Sequence, residues 1–246
     1  MQAAAGPGHT SPFYWNEEVR LGLRVAFTST GAGNLALHVG SDPEGVRGNR
    51  SRLEDDMGIA AGSLRFMSQT HSDRVAVVDG TADVPDADGM ISPRGTEPLA
   101  VLVADCVPIV LADASPAEGG TGATAVVHAG RAGVGNGIIE GAVRSLRGLG
   151  ARDLSAWIGP SVCGACYEVP EDMMRAMART LPEAAARTRA GTPALDLPAA
   201  VRRQLEQSSV RVEPVQGASC TLENPALYSH RREPGAGRIA GLVWRA

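Results

Sequence analysis

Three residues far apart in this chain have side chains that can hold a catalytic metal ion: His71, Cys106 and His128. His71 ends the run Phe66 to Thr70. Cys106 ends Leu99 to Asp105, and His128 ends Ala123 to Val127, just before Ala129 and Gly130. A residue at the end of a buried strand, ahead of a turn, projects at the rim of a sheet, where sites are commonly built. Two neutral imidazoles and one thiolate fill three of zinc's four positions and leave the fourth for water or substrate, which is the pattern of a catalytic site. The separations of 35 and 22 residues follow no local metal-spacing rule. From residue types alone, each histidine reads first as hydrogen-bonded structure, and Cys106 as a small buried hydrophobe, with the metal set the lesser reading. Asp105, in an otherwise apolar strand, is either hydrogen-bonded structurally or acts in the site as a proton acceptor or support for a ligand, because a bare buried carboxylate is costly.

Other residues point elsewhere. All 23 basic residues are arginine, which excludes Schiff-base chemistry, a phosphate-loop lysine and a lysine base. Five histidines without any H-x-H pair exclude a blue-copper and trinuclear assembly. Cys163 and Cys166 form a C-x-x-C with no second pair, so they read as a structural turn, and Cys220 as another structural thiol. Asp88 has the same two readings as Asp105, tilted towards a structural turn, while His9 reads as part of a tail and His38 as a loop residue. Arg231, Arg232 and Arg238 lie near a glycine-rich tail and could grip phosphate bidentately.

These residues need elements to position them. Strand-like runs cover Leu21 to Thr28, Val75 to Val78, Leu99 to Ala104, Val107 to Ala112, Ala123 to His128 and Leu154 to Ile158. Several are continuously apolar, as in sheets covered on both faces. Helices are predicted over Gly137 to Leu149, from Pro170 through a Met173, Met174, Met177 and Leu181 core stripe, and around Leu197, Val201 and Leu205. The Gly119 to Gly122 stretch reads as a flexible connection. The 246 residues therefore make one mixed α/β domain over 21–246, after a tail of residues 1–20. A net charge of −4 argues against nucleic acid as a partner. The longest apolar stretch is too short to span a bilayer, and no signal peptide is visible, so the expected setting is cytoplasmic.

The motifs resemble one family. Gln69-Thr70-His71-Ser72, Ala87-Asp88-Gly89, Leu99 to Pro108 with its central Ala104-Asp105-Cys106, and His128-Ala129-Gly130 follow its order and spacing. So do Ile158-Gly159-Pro160, Cys166 to Val169, and Ser229 to Arg232 with Gly237-Arg238. From about Val25 to Trp244 the chain looks like the laccase-domain family, also called multicopper polyphenol oxidoreductase, purine nucleoside phosphorylase or peptidoglycan editing factor. The resemblance implies one domain with two packed β-sheets between helical layers. It implies Zn2+ on His71, Cys106 and His128, with Asp105 joining them in catalysis, and Gln69, Ser229, Arg231 and Arg232 around substrate and phosphate. The implied chemistry is phosphorolysis of adenosine, inosine and methylthioadenosine, with adenosine deamination as a second activity. A thiol hydrolase acting on peptidoglycan precursors, with Cys106 as nucleophile, and a catalytically inert binding protein are the alternatives. The sequence departs from the family at three places. The early loop Ser29 to Gly33 lacks the usual arginine, His128-Ala129-Gly130 is followed by Arg131-Ala132 rather than Trp-Arg, and Val201 stands where an asparagine is usual.

Overall fold

The computed structural model describes residues 11–80 and 83–246. In chain order its strands and helices begin with β1 (Phe13–Arg20), β2 (Leu23–Thr28), α1 (Pro43–Met57), β3 (Val75–Val77) and β4 (Gly89–Ser92). There follow β5 (Leu99–Val103), β6 (Val107–Ala112), β7 (Thr124–Ala129), α2 (Arg131–Asn136), α3 (Ile138–Gly148) and β8 (Ser155–Ile158). The chain closes with α4 (Glu171–Ala178), β9 (Ala185–Arg187), β10 (Pro193–Leu195), α5 (Leu197–Gln207), β11 (Arg211–Glu213) and β12 (Ile239–Arg245).

Strict alternation explains how continuously apolar strands build two sheets. In β5, Leu99, Val101 and Val103 face one core, while Ala100 and Leu102 face another. The first sheet, ordered β1-β2-β12-β5, is antiparallel throughout. The second has six strands, β11-β8-β6-β7-β4-β3, with parallel pairs only at its two edges. Between the sheets lies a core of Val25, Phe27, Val101 and Val243 against Met90, Val110, Val126 and Trp157. The outer face of the six-stranded sheet is covered by α3 and α5 through Ile139, Val143, Leu146, Val201 and Leu205. The outer face of the four-stranded sheet meets Leu53 and Met57 of α1. Two packed sheets thus lie between helical layers, in a mixed α/β domain.

Some expected boundaries shift. The tail is shorter than residues 1–20, because Phe13–Arg20 pair with β2 as an edge strand. His9 lies outside the described residues. Helix α1 has clear signals that hydrophobic periodicity alone does not bring out: Asp42 caps it by accepting from the Gly45 amide at 2.8 Å, Pro43 opens it, and Gly58 ends it in the left-handed region. The run Phe66 to Thr70 is not a strand; it makes a single isolated bridge, from Ser68 to Asp86. The Gly119 to Gly122 connection is pinned, since the Asp113 carboxylate accepts from Thr121 through both its amide, at 2.7 Å, and its hydroxyl, at 2.8 Å.

Candidate metal centre

The sequence Ala104-Asp105-Cys106 carries the chain from β5 in one sheet to β6 in the other, and this crossing sets the site at one end of the sandwich. His128, in β7, sits opposite Pro108 of β6. His71 comes from the loop before β3. Its Nε2 lies 3.6 Å from Cys106 Sγ, and its ring meets that of His128 edge-on at 4.7 Å between centroids. One ligand atom from each of the three residues lies within 4.8 Å of the others.

Asp88 organises this cluster. Its buried carboxylate accepts His128 Nδ1 at 2.7 Å, the His71 amide at 3.0 Å, and both the amide and the hydroxyl of Ser72 at 2.6 Å. With Nδ1–H given to Asp88, His128 aims Nε2 at Cys106: without metal that nitrogen holds a proton against the thiolate, and a bound metal would take its lone pair by displacing the proton. Burial opposes ionisation of Asp88, but its hydrogen bonds with His128 and Ser72 overcome it and hold the carboxyl far below its usual range. Burial likewise opposes charge on Cys106 and His128. Hydrogen bonds from both imidazoles nevertheless bring the Cys106 thiol down to about 6. Asp88 and Cys106 raise His128 to about 9.

Backbone strain is concentrated here. Of the three described residues other than glycine with positive φ, two are His71 (62°) and Asp105 (85°). Asp105 is held by its contacts: Thr221 Oγ1 donates to its carboxylate at 2.6 Å, the Arg231 amide at 2.8 Å, and the Val162 amide to its carbonyl at 3.0 Å. Gly130 is required for a different reason. A Cβ there would lie 2.5 Å from His71 Cδ2 and 3.2 Å from Cys106 Sγ.

The three residues open onto a cavity of about 360 Å³, whose walls include His38, Tyr167, His230, Arg231 and Arg238. The Arg231 guanidinium stacks over Tyr167 at 4.4 Å. Gln69 also lines the cavity, but both ends of its amide are occupied by the backbone of Leu102. Two expected phosphate residues lie elsewhere. Arg232 spends its guanidinium on the carbonyls of Thr221, Leu222, Asn224 and Leu227. Ser229 is buried and accepts the Arg232 amide at 3.2 Å. Both fold the segment that presents His230 and Arg231. His38 carries no sequence signal of a role in the site, and Tyr167 lies in the Cys166 to Val169 motif, which does not disclose that its ring lines the cavity.

Two packed sheets, a His-Cys-His cluster able to bind a metal and a cation-lined cavity define a protein of the laccase-domain type. The chain belongs to the family described as multi-copper polyphenol oxidoreductase laccase, which matches residues 24–246. It is 42% identical over 218 residues to a purine nucleoside phosphorylase of Mycobacterium tuberculosis, covering 86% of this chain and 84% of the relative. A Streptomyces coelicolor protein of the same name is 42% identical over 216 residues, covering 86% and 87%. Among solved structures, a Neisseria meningitidis protein superposes with a TM-score of 0.80 at 28% identity, covering 96% of this chain and 99% of its own. The YlmD protein of Geobacillus stearothermophilus gives 0.78 at 27% identity, covering 95% and 99%. No helix among the described residues is long and apolar enough to cross a membrane.

Proposed function

We propose that the chain is a zinc-dependent purine nucleoside phosphorylase acting on adenosine, inosine and methylthioadenosine, with adenosine deamination as a second activity. The observation that carries this reading is the convergence of His71, Cys106 and His128 on a cavity bordered by arginine and histidine. The donor set fits zinc: two imidazoles, one tautomerically fixed by Asp88, and one thiol made acidic by its neighbours. When bound, zinc supplies Lewis acidity at a position left open to water or substrate. The relatives named purine nucleoside phosphorylase support the substrate class.

Phosphorolysis needs a phosphate oxygen at the anomeric carbon while positive charge develops on the ribose and the base departs. With no lysine in the chain, the phosphate must be held by Arg231, Arg238 and the cavity histidines His38 and His230. Arg238 replaces Arg232 in this role, because the Arg232 guanidinium is fully engaged by carbonyls. The Tyr167 ring offers an apolar face for a purine. Asp105 holds the Arg231 backbone in place and acts through that residue.

The test is phosphate-dependent release of hypoxanthine from inosine. Arg238→Ala is expected to raise the phosphate KM about tenfold or more, the cost of one charge-assisted contact, with zinc content unchanged. Adenosine deamination, which uses water and no phosphate, is expected to suffer less. Base release independent of phosphate in the wild type overturns the reading.

A second reading has its own observation. Asp88, His128 and Cys106 form a carboxylate–imidazole–thiol series, and the Cys106 thiol at about 6 is that of an activated nucleophile. Metal-free, these residues suit a thiol hydrolase. Hydrolysis of a peptidoglycan-type amide that zinc inhibits and Cys106→Ser abolishes favours it over phosphorolysis.

A further inference from the structure

The three remaining cysteines also converge. Cys163 and Cys166 lie in the loop between β8 and α4, and Cys220 lies in the segment between β11 and β12. Their sulfur atoms and a carboxylate oxygen of Glu223 all lie within 4.8 Å of one another, and all four cysteines of the chain are free thiols. The backbone around the thiols is already set. The Cys166 and Tyr167 amides donate to the Cys163 carbonyl at 3.0 and 2.9 Å, closing a tight turn around the C-x-x-C. The Cys163 amide donates to Cys220 Sγ at 3.4 Å. Ser161 and Cys220 pair as a short parallel bridge, with the Thr221 amide donating to the Ser161 carbonyl at 3.1 Å. Glu223 is exposed and its carboxylate pairs with exposed Arg189, so the open side of the cluster carries both an exchangeable ligand and a path from solvent.

We propose that Cys163, Cys166, Cys220 and Glu223 form a second, structural zinc site that staples the C-terminal segment to the loop after β8. Three sulfur donors select a soft or borderline cation, and four protein ligands close the coordination sphere, which distinguishes this site from the open one at His71. Glu223 exchanges Arg189 for the metal. The staple bears on the cavity through adjacent residues. Cys166 precedes Tyr167 in the cavity wall, and Cys220 precedes Thr221, whose hydroxyl holds the carboxylate of Asp105 next to Cys106. The binding step is an exchange without oxidation: each thiol gives its proton to buffer as its sulfur binds the cation.

The experiment uses the full chain, reduced and stripped of metal, titrated with zinc alone and desalted. Wild type is expected to retain two equivalents, Cys106→Ala one, Cys163→Ser with Cys220→Ser one, and the combined variant none. In the Cys106→Ala chain, which leaves the cluster untouched, zinc is expected to slow alkylation of Cys163, Cys166 and Cys220 about tenfold or more, mapped residue by residue. It is also expected to raise Tm. A single equivalent in wild type that Cys106→Ala removes, or alkylation at equal rates with and without zinc, overturns the second site. That result leaves the His71 centre and the phosphorylase reading standing, because their tests use different residues.

Discussion

Five donors share the carboxylate of Asp88: the amides of Thr70, His71 and Ser72, the Ser72 hydroxyl and His128 Nδ1. Asp88→Asn keeps the size but removes the charge and turns one acceptor into a donor facing donors. We expect zinc affinity at the His71 centre to fall about 10- to 100-fold, as for loss of a carboxylate behind a ligating histidine, measured by chelator competition. Unchanged affinity would show that the backbone of the 70–72 loop, rather than the carboxylate, aims the ligands. Arg232 gives the opposite kind of expectation. Its guanidinium ties the turn from Thr221 to Leu227 through four carbonyls, so Arg232→Ala is expected to cost about 2 kcal/mol of stability in denaturant unfolding. The phosphate KM is expected to stay near that of the wild type. At this scale the sequence displayed ligand types but not how each side chain is spent. Arg231 and Arg232 are neighbours of one type, yet one enters the cavity and the other serves the backbone, in a turn held by the Arg231 amide on Asp105 and the Arg232 amide on Ser229.

Asp113 shows how one carboxylate can hold elements together. It follows β6 and accepts the Thr121 amide and hydroxyl from the connection to β7, and the Arg152 and Asp153 amides from the turn before β8. Burial opposes its charge, but these donors prevail and lower its pKa. A carboxyl depressed in the folded state contributes stability above its unfolded pKa, about 3.9, and that contribution is lost as pH falls through the depressed value. Asp113→Asn is therefore expected to cost about 1–3 kcal/mol at pH 7. The difference from wild type should shrink as pH falls below about 4. A constant difference down to pH 2 would mean that shape, not charge, matters there. Elements with strong periodicity were legible: the Ile139, Val143 and Leu146 face of α3, the α4 methionines and the buried runs of β5 to β7 all occur. Helix α1 was not visible by periodicity, because its buried positions are few, chiefly Val46, Leu53 and Met57. The loop of His71 was unreadable because its shape is set by the distant carboxylate of Asp88.

Across the whole molecule the last strand is the one with most to lose. β12 lies between β2 and β5, pairing with both, so residues 239–245 complete the first sheet only after every other element has been made. Ile239, Leu242, Val243 and Trp244 are each no more than 2% exposed, and the Trp244 indole donates to the Met57 carbonyl at 3.1 Å, tying α1 to the sheet. At about 1.5–3 kcal/mol for each buried apolar side chain, these four account for stabilisation comparable to the total of about 5–15 kcal/mol that a domain has. Their removal also leaves β2 and β5 as two long apolar edges open to pairing with other chains. The same strand anchors the segment that carries His230, Arg231 and Arg238 to the cavity, so folding and site assembly share one closing step. A chain ending at Arg238 is therefore expected to be aggregated or unfolded, even though every residue of the His71 centre and the cysteine cluster is still present. The measurement is the soluble fraction and near-ultraviolet circular dichroism of the truncated chain, with saturating zinc in a parallel sample. A soluble truncated chain with a wild-type spectrum would show that the six-stranded sheet and its helices fold without the first sheet closed, and would move the closing step from β12 to the crossing at Asp105.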